Sequence, residues 1–187
     1  MTHLHHHRIR RGILTGTVIM AMGVLNGATV AHAAVNCVAS NGVTQTDTTV
    51  TGTSGNDTID CGGADRAKTI NGNGGNDIIT GTAFLDMMNG GDGNDTITGG
   101  IGDDAVNGEL GDDTLTGSAG NDTLNGGVGD DALNGGFGTD LLRGDADNDS
   151  LTGPPDDQSV DDVNGGAGTD TCQGPGPDKD VLVTCNP

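Results

Sequence analysis

Residues 72 to 152 read as nine blocks of nine with no insertion: GNGGNDIIT, GTAFLDMMN, GGDGNDTIT, GGIGDDAVN, GELGDDTLT, GSAGNDTLN, GGVGDDALN, GGFGTDLLR and GDADNDSLT. Every block opens with Gly, carries Asp at its sixth position and an apolar residue at its eighth. The fourth position is Gly in seven of the nine and becomes Phe84 and Asp147 in the others. A register held this long is no accident of composition, and it argues against a disordered chain of the same make-up. Upstream, GTSGNDTID fits at 52–60, Cys61-Gly62 interrupt, and GADRAKTIN keeps only Gly63 and Ile70 of the pattern. Downstream, a stretched unit at 153–164 carries Asp161 and Val163, GGAGTDTCQ puts Cys172 in the apolar slot, and PGPDKDVLV is a faded last unit around Asp180 and Leu182.

The residues available for a core are few. There is no Trp, no Tyr, and only Phe84 and Phe137 among the aromatics, which argues against a conventional globular interior. The formal charge of -20 comes from 26 Asp and the single Glu109. That preference for the shorter acid favours turns over helices, and the negative surface makes nucleic acid an unsuitable partner.

Residues 1–33 differ from the rest. Arg8, Arg10 and Arg11 precede a mostly apolar run, and Ala31-His32-Ala33 has the A-x-A form of a secretory cleavage site, so we read a signal peptide removed after Ala33. Arg10-Arg11 loosely resembles a twin-arginine signal, with Sec export preferred. No other segment approaches a membrane span. All five histidines lie in this leader, and the remainder keeps only Arg66, Lys68, Arg143 and Lys179 as bases, for a formal charge of -20 - 3 = -23. Without His there is no Ser-His-Asp or Cys-His mechanism and no imidazole zinc site. Carboxylate, hydroxyl and carbonyl oxygens remain, the ligand set of a hard cation such as calcium. The four cysteines, Cys37, Cys61, Cys172 and Cys185, suit two disulfides in an exported chain. Of the three pairings, Cys37 with Cys61 and Cys172 with Cys185 is preferred, since each pair brackets one end of the regular region and closes a short loop.

The nonapeptide resembles the G-G-x-G-x-D-x-U-x unit of hemolysin-type calcium-binding repeats, the repeats-in-toxin (RTX) family, over roughly residues 52 to 183. The resemblance implies an all-β fold: a parallel β-roll, or right-handed β-solenoid, with two nonapeptides per coil. Each unit would give a Gly-rich turn and a short strand, with calcium between successive turns held by the sixth-position Asp and turn carbonyls. On that arrangement a strand of about three residues, such as Thr96-Ile97-Thr98, points its middle side chain inward, and the core is a single file running from Ile59 to Leu182. One apolar side chain per unit is worth roughly 1.5–3 kcal/mol when buried. Backbone ordering costs about 1 kcal/mol or more per residue, so the core alone cannot hold the coils.

The acids supply the remainder of this reading. Residues 18 apart become neighbours, so Asp77, Asp95, Asp113, Asp131 and Asp149 form one column and Asp86, Asp104, Asp122 and Asp140 the other. Bare carboxylates at strand spacing repel until a divalent cation lies between each pair, and glycine gives the turn positive φ with its carbonyls facing the metal. Asp57 and Asp161, beside irregular units, complete the expected ligand set; Asp170 and Asp180 are not in it. Asp92 drops out because later units carry Ile101, Leu110, Ala119 or Val128 at its position. Residues 145–149 resemble the start of an EF-hand loop, but Ser150 stands where its glycine belongs and no helix-forming segment flanks it.

These readings divide the chain into a signal peptide (1–33), an N-terminal cap (34–51), the roll (52–164) and degenerate repeats with a disulfide-bearing C-terminal cap (165–187). They predict a secreted, extracellular, non-enzymatic protein that folds on binding several Ca2+ ions. The alternative is an adhesive solenoid for ice, glycan or cell envelope, using a Thr-rich face that includes Thr96/Thr98 and Thr114/Thr116. A sugar-cleaving pair of acids needs two distinct environments, whereas these columns are equivalent.

Overall fold

Thr96-Ile97-Thr98 alternates exposed, buried and half-buried, the period of two expected of a strand with one face inward. The same alternation recurs through the computed structural model, which describes residues 36–153, 161–173 and 181–185. The leader at 1–33 and Asp180 lie outside these residues. Four short strands open the chain: β1 (Val38–Ala39), β2 (Thr44–Gln45), β3 (Thr49–Thr51) and β4 (Thr58–Asp60). The regular body follows as β5 (Thr69–Gly74), β6 (Ile78–Thr80), β7 (Met87–Asp92), β8 (Thr96–Ile101), β9 (Ala105–Leu110), β10 (Thr114–Ala119), β11 (Thr123–Val128), β12 (Ala132–Phe137) and β13 (Leu141–Ala146). Then come β14 (Ser150–Thr152), β15 (Asp162–Ala167), β16 (Thr171–Gln173) and β17 (Val181–Thr184).

Alternate strands separate into two sheets. One runs β1-β4-β6-β8-β10-β12-β14-β16 and the other β17-β15-β13-β11-β9-β7-β5-β3-β2. Pairing within each body is parallel and in register at 18 residues, as Ile79 with Ile97 and Leu115 with Leu133. Two nonapeptides therefore make one coil of a parallel β-solenoid with the strand arrangement of a β-roll. The irregular units are absorbed without breaking the stack: Cys61-Gly62 lengthen one step so that Ile59 pairs Ile79, and the stretched unit lengthens another so that Leu142 pairs Val163.

Two features differ from the sequence expectation. Most body strands hold six residues rather than three, because pairing resumes past each corner, as Ser118 with Gly136 and Ala119 with Phe137. The core is also two facing files rather than one. Ile59, Ile79, Ile97, Leu115, Leu133 and Leu151 come from one sheet, and Ile70, Met88, Val106, Leu124, Leu142 and Val163 from the other, all buried. Val50 adds a rung before the first repeat, where β3 pairs β5 in parallel. Beyond it the direction reverses, since β1 pairs β4 and β2 pairs β3 antiparallel. Cys37 bonds Cys61 and Cys172 bonds Cys185, with Cys172 half-buried against the core. The described residues contain no helix, and so none long and apolar enough to cross a membrane.

Candidate metal centre

Each repeat begins with a tight turn, and its second and fourth residues determine the turn's shape. In the turn at 90–95, Gly91 and Gly93 have φ of 112° and 121°. In the turns at 72–77, 108–113, 117–122 and 144–149, non-glycine residues at these positions take the same left-handed conformation: Asn73 (77°), Glu109 (79°), Ser118 (90°), Asp145 (76°) and Asp147 (78°). The EF-hand-like run at 145–149 is thus an ordinary turn of the solenoid. The first position has a different requirement. A methyl carbon on Gly72 would lie 2.2 Å from Oδ2 of Asp77 and 2.4 Å from the carbonyl oxygen of Gly90, so glycine is needed there for close approach.

The sixth-position carboxylates stack as two columns. Oδ1 of each accepts a hydrogen bond from the backbone N–H of the Asp one coil earlier: Asp77 N to Asp95, Asp95 N to Asp113 and Asp113 N to Asp131 at 2.7–2.8 Å in one column. Asp86 N to Asp104, Asp104 N to Asp122 and Asp122 N to Asp140 do the same at 2.8 Å in the other. Successive carboxylates are thus linked through Oδ1 by the amide of the neighbouring coil. The second oxygens carry the functional signal. Oδ2 of Asp77, Asp95, Asp104, Asp113, Asp122, Asp131, Asp149 and Asp170 is buried and makes no hydrogen bond. In the turn at 108–113, Oδ2 of Asp113 and the carbonyl oxygen of Gly126 both approach Gly108, at 2.1 and 2.6 Å from where its Cβ would be. A buried carboxylate oxygen without a donor, held against a turn carbonyl, forms an arrangement that a cation relieves. Among the described residues no three His, Cys, Asp or Glu side chains converge, so such a cation would draw most of its ligands from turn carbonyls.

Electrostatics point the same way. Burial pushes the carboxyls of Asp104, Asp131 and Asp149 up to about 7 and those of Asp77 and Asp113 up to about 6, against the opposing amide hydrogen bonds. Asp95 and Asp122 are raised for the same reason. A site that penalises bare carboxylate charge favours either a proton or a metal ion.

The chain matches the family model described as RTX calcium-binding nonapeptide repeat (4 copies) at residues 44–66, 69–88, 80–115, 107–142 and 116–151, more than half of its length. It belongs to the RTX repeat family. No curated protein and no solved structure matches it. Of the expected ligands in this RTX chain, Asp77, Asp95, Asp104, Asp113, Asp122, Asp131, Asp140, Asp149 and Asp161 lie buried in the two columns. Asp57 and Asp86 are buried too, but both oxygens of each are taken by hydrogen bonds: Ser40 and Thr53 donate to Asp57, Lys68 N and Thr82 to Asp86. Asp170 was outside the expected set, yet it sits in the first column, accepting from Asp149 N at 3.1 Å. Its signal was the intact GGAGTD of its own turn. Asp92 is exposed at the end of β7.

Proposed function

We propose that this RTX repeat protein is secreted and that its solenoid folds on binding several calcium ions at its turns. The observation that carries the reading is the row of buried carboxylate oxygens without hydrogen-bond donors, several of them beside a turn carbonyl, as Asp77, Asp95 and Asp113 are beside those of Gly90, Gly108 and Gly126. Asp77, Asp95, Asp104, Asp113, Asp122, Asp131, Asp140, Asp149, Asp161 and Asp170 would hold the ions together with carbonyls of the glycine-rich turns. Calcium would supply positive charge that offsets the desolvation of these acids and, by binding only the folded chain, stabilise it by mass action. Extracellular modules work with sites as weak as about 10⁻⁴–10⁻³ M, so the chain would stay unfolded where calcium is scarce. Two disulfides and a leader at 1–33 suit an oxidising, extracellular setting. The equivalence of the columns supports a non-enzymatic role.

Circular dichroism of the chain titrated with calcium, then with magnesium, tests this. Calcium at millimolar concentration is expected to produce the β-sheet signal and magnesium to fail, because Mg2+ keeps its waters and demands a tighter octahedral site. A chain equally folded in chelator would overturn the reading.

A further inference from the structure

Two turns depart from the rest in the same way. In those at 52–57 and 81–86 the second position is Thr, and neither the second nor the fourth residue is left-handed, whereas both are in the turns at 72–77, 90–95 and every later turn up to 144–149. Threonine, branched at Cβ, is a poor occupant of the left-handed region that Asn73, Ser118 and Asp145 accept. The chain takes a different path, and Thr53 and Thr82 turn inward instead. Thr53 donates its N–H to Oδ2 of Asp57 at 2.6 Å and its hydroxyl to the same oxygen at 2.9 Å. Thr82 donates its N–H to Oδ2 of Asp86 at 2.5 Å and its hydroxyl to Oδ1 at 3.1 Å. Each hydroxyl also accepts the N–H two residues on, from Gly55 or Phe84, completing a closed loop. The carboxylate swings away from the first glycine: Oδ2 lies 3.0 and 2.8 Å from the Cβ positions of Gly52 and Gly81, against 2.1–2.5 Å at the corresponding glycines of the later turns.

These are the first turns with a sixth-position Asp in their respective columns. Below them the stack ends in side-chain and backbone donors: Ser40 Oγ donates to Oδ1 of Asp57 at 2.6 Å. In the other column Lys68 holds the preceding sixth position and its N–H donates to Oδ1 of Asp86 at 2.6 Å. Its buried ammonium also donates to the Asp47 carbonyl.

We propose that Thr53 and Thr82 exclude calcium from the first turn of each column by satisfying its carboxylate internally, so that the N-terminal end folds without metal and templates the calcium-dependent turns that follow. The inference rests on the calcium reading above and assigns Asp57 and Asp86 a structural role in place of the ligand role expected from their register. A folded edge lowers the nucleation cost for a linear repeat array, since each new coil then adds to an existing neighbour.

Hydrogen exchange on the full-length, disulfide-bonded chain in chelator and in calcium tests it. Amides around β3 to β7 should exchange slowly in both conditions, and those of β8 to β14 only with calcium. Simultaneous loss of protection along the whole solenoid in chelator overturns the templating, whereas no gain of protection from calcium anywhere overturns the calcium reading itself. The role of the threonines is read separately by calorimetric calcium stoichiometry. Thr82→Gly with Phe84→Gly, which restores the common turn pattern, should bind more calcium per chain. Gly100→Thr with Gly102→Phe, which transplants the closed turn, should bind less. Unchanged stoichiometry in both folded variants overturns the exclusion; if either fails to fold with calcium, exchange at the wild-type Thr53 and Thr82 amides decides, with fast exchange in chelator counting against it.

Discussion

Gly108 has no space for a methyl group, because the carboxylate of Asp113 and the carbonyl of Gly126 already press on its Cα. Gly108→Ala is expected to cost about 1–3 kcal/mol in calcium, as overpacking does, read as a lower urea midpoint. Ser118 has the opposite problem: its φ of 90° strains any residue with a Cβ. Ser118→Gly should stabilise the chain by about 0.5–1 kcal/mol, relief of left-handed strain outweighing the added freedom of the unfolded glycine. The repeat pattern made the glycines visible but merged two separate causes, since positive φ is confined to the second and fourth positions while close approach applies at the first as well as at those. The same reading placed Asp57, beside an irregular unit, and Asp86 in the ligand set from register, whereas hydrogen bonds take both oxygens of each. Thr at the second position was the available signal, legible only when its branching is set against a left-handed turn.

At the scale of one turn and strand, the inward eighth residue and the 18-residue register followed directly from the nonapeptide, because alternation and stacking are both periodic. The length of the strands did not, since continued pairing past a corner leaves no mark in hydropathy. Between stacked carboxylates Oδ1 accepts from the previous Asp amide, as from Asp77 N to Asp95, while Oδ2 of the same Asp95 makes no hydrogen bond. A similar ladder runs along the exposed fifth position, where Asn94 N donates to Asn76 Oδ1 and Asp112 N to Asn94 Oδ1. With their donors fixed, the columns titrate in a definite direction. Burial raises the folded carboxyls to about 6 at Asp77 and Asp113 and about 7 at Asp104, Asp131 and Asp149, while an unfolded Asp titrates near 3.9. Between those values the metal-free folded chain holds more protons than the unfolded one. The contribution of these carboxyls to stability is therefore greatest below about pH 4 and is lost as pH rises through 6–7. Circular dichroism without calcium should gain β-signal on acidification from pH 8 to 5, and calcium affinity measured by calorimetry should weaken over the same interval, because protons and metal compete for the same oxygens.

Across the whole molecule, the body and the C-terminal units were legible, the latter through Cys172 opposite Leu151 and Leu182 opposite Val163, whereas the strands of the N-terminal cap were not. Val50 and the antiparallel strands precede any repeat, so nothing periodic announced them, although the Cys37–Cys61 pairing marked the place. That disulfide spans 24 residues and ties the N-terminal cap to the first coil. Cys37→Ser with Cys61→Ser is expected to remove about 3 kcal/mol in saturating calcium, seen as a shift in the urea transition. The reversed strands β1 and β2 have a further consequence. A stack of near-identical coils presents at each end the pattern of backbone donors and acceptors that its own next coil would satisfy, so one molecule's top could dock on another's bottom and grow into a filament. By running antiparallel, β1 and β2 offer the wrong polarity for such growth at the N-terminal face.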